Sequence, residues 1–141
     1  MRASRRPPTS RRADHLLAAR PQRPALSRAA DRYEKAFTRA QNGGTAFAQA
    51  GTAALNTTLI QAERALTTAG GLPRRPWFRH TVYAPGFYTG YGVKTLPGVR
   101  EAIEQRNWKE ADAQIDIAAG AVTAEAAVLE RAAALLEQLA P

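Results

Sequence analysis

Six side chains between residues 79 and 94 are the ones whose types could act together: Arg79, His80, Tyr83, Tyr88, Tyr91 and Lys94. They mix cationic and phenolic donors among small residues, a set suited to recognising a carboxylate or a phosphate. Tyr91 lies between Gly90 and Gly92, and flanking glycines let a backbone approach a ligand or partner closely. Trp77 and Phe78, with Tyr83, read instead as an apolar lid over helices.

Outside this stretch the chemistry thins out. A metal site needs His, Cys, Asp or Glu converging at coordination distance. The chain has no cysteine, and His15 and His80 are far apart in sequence. The acids are scattered; Glu101, Glu104 and Asp112 read as members of solvated helix faces. No Gly-rich phosphate loop is present, and Ser4, Ser10 and Ser27 stand where no base accompanies them. Taken alone, the sequence offers no catalytic residue, no metal ligand set and no cofactor site.

The elements that position the six side chains are helical. Pro24 suits a first-turn position, and Ala25, Ala29, Tyr33, Ala36 and Phe37 follow at helical spacing until Asn42-Gly43-Gly44 stops the run. A second helix is predicted over residues 45–68, with Phe47, Ala54, Leu55, Leu59 and Leu66 as its stripe. Residues 71–96 carry Pro73, Pro76, Pro85 and most of the aromatics, and read as a long loop without regular structure. Pro97 opens a short helix with Val99 and Ile103 on one face. Asn107, with Glu110 three residues on, has the form of a capping box for a last helix that begins at Trp108 and continues to about Leu139. There Ala111, Ile115, Ala118, Val122, Ala126, Leu129, Ala133 and Leu136 recur at spacings of three and four. Gly120 in its middle costs about 1 kcal/mol against Ala, a cost offset if a neighbouring helix packs close. The expected fold is all-α, a bundle of three to four helices with one long aromatic Pro/Gly-rich loop.

The net charge of +8 suggests a nucleic-acid partner until it is located. Residues 1–23 hold seven arginines against Asp14 alone, leaving 13 basic and 11 acidic side chains in the remainder. The chain therefore divides into a basic, disordered tail over residues 1–23 and a nearly neutral domain over residues 24–141. No run of ~18 apolar residues occurs, and the N-terminus lacks the apolar stretch of a secretory signal; localisation stays unknown.

Several motifs in order carry a resemblance. Gly71-Leu72-Pro73-Arg74-Arg75-Pro76 is followed by Arg79-His80, Val82-Tyr83-Ala84-Pro85 and Leu96-Pro97-Gly98, and then by the Ala-rich run of residues 115–127. Together they resemble the transferrin receptor-like dimerisation domain, as in the C-terminal domain of glutamate carboxypeptidase-type zinc exopeptidases. The resemblance is strongest over residues 70–140 and absent from residues 1–23. It implies a non-catalytic, homodimerising helical domain, a fragment lacking the catalytic domain, with zinc expected only in an associated peptidase domain. It also implies a loop that completes a substrate pocket. In glutamate-specific members a Lys-Tyr pair there holds substrate carboxylates; Tyr91 matches the tyrosine, and Gly90 stands in place of the lysine. Two other readings compete. A small basic nucleic-acid-binding or stand-alone helical interaction protein rests on the arginine tail, but the body has almost no excess charge to hold phosphates. A stand-alone peptidase would require a metal site that the sequence does not supply.

Overall fold

A computed structural model describes residues 22–42 and 49–139. The expected tail lies outside the described residues, apart from Gln22 and Arg23 at the start of the first helix, as do Gly43, Gly44 and Phe47. The elements are α1 (Gln22–Asn42), α2 (Gln49–Ala65), β1 (Tyr83–Pro85), β2 (Val93–Thr95), α3 (Pro97–Glu104) and α4 (Trp108–Leu139). The fold is helical, as expected. Among the described residues, no helix is long and apolar enough to cross a membrane.

The last helix is the spine. At 1.5 Å per residue its 32 residues extend about 48 Å, and α1, α2 and α3 each pack on it. Both of its ends fall where the sequence places them. Asn107 caps the start: its Oδ1 accepts the Glu110 N–H (3.2 Å), and its own amide donates to the Glu110 carboxylate (3.3 Å). In the usual box the acid reaches back to the cap's backbone N–H; here that N–H is already taken by the Ala102 carbonyl (2.8 Å).

The interior is built from small side chains. Ala36 and Ala40 of α1, Leu55 of α2, and Ala132 and Leu136 of α4 form one buried cluster, flanked by Tyr33, Phe37 and Leu59. Alanine brings helix axes close but removes little apolar area per residue, so few side chains other than Leu136 carry much of the burial. Across the outside of α1 and α4, Arg32 holds Glu137 with both carboxylate oxygens (3.0 and 2.7 Å) and also pairs with Glu130. The Arg32 guanidinium keeps the Glu137 carboxyl below its ordinary value.

Four expectations change, the first three in the helices. The second helix ends at Ala65, because Leu66, Thr67 and Thr68 turn to meet the following segment: Thr81 donates both its N–H (2.9 Å) and its hydroxyl (2.8 Å) to the Leu66 carbonyl. On α3 the buried residues are Pro97, Gly98, Glu101 and Ala102, while Ile103 is exposed. Gly98 allows this, since a side chain there would collide with Gln114 of α4. Gly120 has no neighbour within 4 Å of where a Cβ would stand, so no helix of the described chain packs against it.

The stretch expected to be irregular contains a small antiparallel sheet, with Tyr83 opposite Thr95, Ala84 opposite Lys94 and Pro85 opposite Val93. Leu96 follows it in the left-handed conformation (φ 47°) and turns the chain into α3.

Candidate functional site

The sheet is the base of a hairpin whose tip, residues 86–92, stands out from the helices. Its chain is closed by two backbone bonds, Gly86 N–H to Gly92 O (2.9 Å) and Gly92 N–H to Thr89 O (3.2 Å). Gly90 takes φ 60°, the turn conformation that glycine adopts without strain. The next residue, Tyr91, is 100% exposed, and Tyr88 is 71% exposed with its ring edge-on to Phe87 at 4.8 Å. Trp77, from the preceding turn, is 72% exposed.

Beneath the tip lies a buried charge pair. Arg75 donates through one terminal nitrogen to Glu101 Oε1 (2.7 Å) and through the other to the Pro85 carbonyl. Glu101 Oε1 also accepts the Phe87 N–H (2.8 Å). The Arg75 guanidinium lies 5.4 Å from the Phe78 ring centre and 5.7 Å from that of Phe87. Its side chain is 4% exposed and that of Glu101 1%. Glu101 Oε2 and Arg75 Nε are buried with no hydrogen-bond partner among the described residues. A second pair lies alongside: Lys94 Nζ of β2 meets Glu104 of α3 at 2.7 Å. Arg74, at φ 64°, also reaches the tip, its guanidinium 5.8 Å from the Phe87 ring centre, and holds both carboxylate oxygens of Glu110 at 3.0 Å.

A third group joins the hairpin to α2. His80 Nδ1 accepts the N–H groups of Val82 and Tyr83 (both 3.2 Å), so the proton of the neutral ring sits on Nε2, which lies 3.3 Å from Glu63 Oε1. The Tyr83 hydroxyl donates to that same oxygen, which raises the phenol above its ordinary value. The His80 and Tyr83 rings overlie each other at 3.9 Å. Across from them on α4, burial pushes the Glu125 carboxyl up, and the Glu63 charge adds to the effect.

The six donors singled out in the sequence therefore do not converge. His80 and Tyr83 face Glu63 on α2, Lys94 is committed to Glu104, and Tyr88 and Tyr91 stand at the tip. Arg79 is exposed beside the bridge that pairs Thr67 with His80. Trp77 and Tyr83 are too exposed to be a lid; only Phe78 is tucked against Arg75. Reading the acids as solvated faces fails at Glu101. The available signal was its place four residues after Pro97 and three after Gly98, on the face those two bury. Among the described residues, no group of three or more His, Cys, Asp or Glu side chains could hold a metal ion. A concavity of about 300 Å³ opens along α1 between Arg28, Asp31, Lys35, Arg39 and Glu137, away from the tip.

A spine helix carrying three others, with a braced aromatic hairpin beside it, defines a helical scaffold that presents a tip. The chain belongs to the transferrin receptor-like dimerisation domain family, which its residues 20–130 match. It is similar to a probable glutamate carboxypeptidase of Arabidopsis thaliana, 52% identical over 50 residues, covering 36% of this chain and 7% of the relative. A probable glutamate carboxypeptidase of Arthroderma benhamiae is 40% identical over 75 residues, covering 53% of this chain and 10% of the relative. The chain thus spans a tenth or less of the length of these curated relatives.

Proposed function

We propose that this chain is the non-catalytic dimerisation part of a glutamate carboxypeptidase-like zinc exopeptidase, and that it pairs with a second copy through its helices. The observation that carries this reading is the family match over residues 20–130. The names of the two relatives support the enzyme class. In this reading the zinc and the groups that cleave the peptide belong to an associated catalytic domain. The hairpin tip reaches into that domain's pocket, where the Tyr91 hydroxyl donates a hydrogen bond to a substrate carboxylate. Gly90 brings no cation to the pair, so the tip contributes one neutral donor instead of a donor and a charge.

Sedimentation velocity on the full chain tests the pairing: a dimer at micromolar concentration is the expected result. A monomer at hundreds of micromolar would remove the homodimer reading. The role of Tyr91 is tested separately, with the chain joined to a catalytic domain. Tyr91→Phe should raise KM for substrates with a free C-terminal carboxylate by about tenfold, the usual scale for a hydrogen bond to a charged group. An unchanged KM would take Tyr91 out of the pocket.

A further inference from the structure

The tip has little apolar packing to hold it. Phe87 is 39% exposed, and Tyr88, Tyr91 and Val93 are each more than 70% exposed. The sheet below has three residues per strand, and an isolated two-stranded hairpin is at best marginal in water. Segments with few buried contacts open at low free energy, so something else must fix the direction in which this tip leaves the domain.

We infer that Arg75 and Glu101 are positioning residues for the tip, and that through it they set where Tyr91 stands. Arg75 holds the carbonyl of Pro85, the last residue of β1, and Glu101 holds the N–H of Phe87, two residues on. The pair thus grips the chain on both sides of Gly86, where it leaves the sheet for the turn. The opposite strand is held from the same helix, by Glu104 on Lys94. Two acids of α3, three residues apart, therefore brace both strands of the hairpin. The inference rests on the reading above, in which the tip meets another domain.

A purely structural role would be different, and the two can be separated. Replacing both members of a buried pair by apolar residues of similar volume is often neutral or stabilising for a fold. No apolar residue can accept the Phe87 N–H or donate to the Pro85 carbonyl. Arg75→Met with Glu101→Leu should therefore leave the helices intact and release the tip.

The measurement is residue-resolved amide hydrogen exchange on the full chain, alongside its urea unfolding curve. In the unaltered chain the Phe87, Gly86 and Gly92 amides should exchange together, at least about tenfold more slowly than unbonded amides of the tip. In the double variant those three should quicken by about tenfold or more, while the α1 and α4 amides keep their rates. Phe87 exchanging at the unbonded rate in the unaltered chain would overturn the inference even if the double variant did not fold. So would tip amides that stay protected in the double variant, or a uniform quickening across helices and tip. Neither a second copy nor a catalytic domain enters this readout. Failure here leaves the dimerisation reading standing, and a monomeric chain would leave the bracing intact.

Discussion

The helices α1 and α2 with α4, and residues 66–96 with α3, bury different things. In the first region the interior includes Ala29, Ala36, Ala40, Leu55, Val128, Ala132, Ala133 and Leu136, and the charged groups stay at its edge. In the second, the interior includes Arg75, Thr81, Lys94 and Glu101 beside Leu66, Leu72 and Ala84. One region is held by many small apolar contacts, each removing only a little surface from water. The other is held by a few polar bonds, each costly to leave half made. The bundle should therefore yield gradually to substitution, whereas the hairpin region should yield abruptly at single residues.

The comparison breaks first at Arg75. Arg75→Ala leaves the Glu101 carboxylate buried and unpaired, and should cost about 4 kcal/mol in urea unfolding. Leu136→Ala, the largest truncation available in the bundle core, should cost about 3 kcal/mol by the same measurement. If the leucine proves the more expensive of the two, the contrast between the regions is reversed. Asn107→Ala removes the cap of α4 and should cost about 1 kcal/mol, read as a shift in thermal midpoint. Tyr91→Ala, at a fully exposed site, should change stability by less than about 0.5 kcal/mol.

Two carboxylates sharpen the picture through pH. Glu125 is raised in the folded state, so between its ordinary and raised values the folded chain binds the extra proton, and stability falls as pH rises. Glu125→Gln should remove that fall, making the chain slightly more stable at pH 7 and no different below the ordinary carboxylate range. Glu137 is lowered by Arg32, so its contribution is present above the ordinary value and is lost as pH falls through the lowered one. Glu137→Gln should be the less stable form at pH 7, with the difference vanishing in acid. Urea unfolding curves between pH 3 and pH 7 would show the two slopes as opposite in sign, or refute the assignment.

How much was legible in the sequence follows the same division. The spine helix was readable at both ends, because the Asn107 cap and the three-and-four spacing from Ala111 to Leu136 are local signals that packing then obeyed. The apolar positions of α1 were readable for the same reason. The hairpin was not: its strands are three residues long, too short for alternation to register, and Pro85 within one of them reads as a breaker. Arg75 and Glu101 were missed because charge type alone marks a surface. Only the three-dimensional meeting of residues 26 positions apart turns them into an interior. The glycines beside Tyr91 suggested a backbone that a ligand or partner could approach, and the resemblance suggested its role, which its full exposure leaves open to a partner.

One consequence of the Arg32 contacts concerns sliding. An interface lined by alanine has shallow ridges and shallow grooves, so it resists poorly when one helix shifts lengthwise along another. Arg32 takes hold of α4 at Glu130 and Glu137, seven residues apart and so about two turns along one side of the helix. Moving α1 by one turn in either direction would pull the guanidinium away from one acid without offering another in its place. The small-residue seam sets how near the two helices lie, and one exposed arginine selects the rung at which they stop.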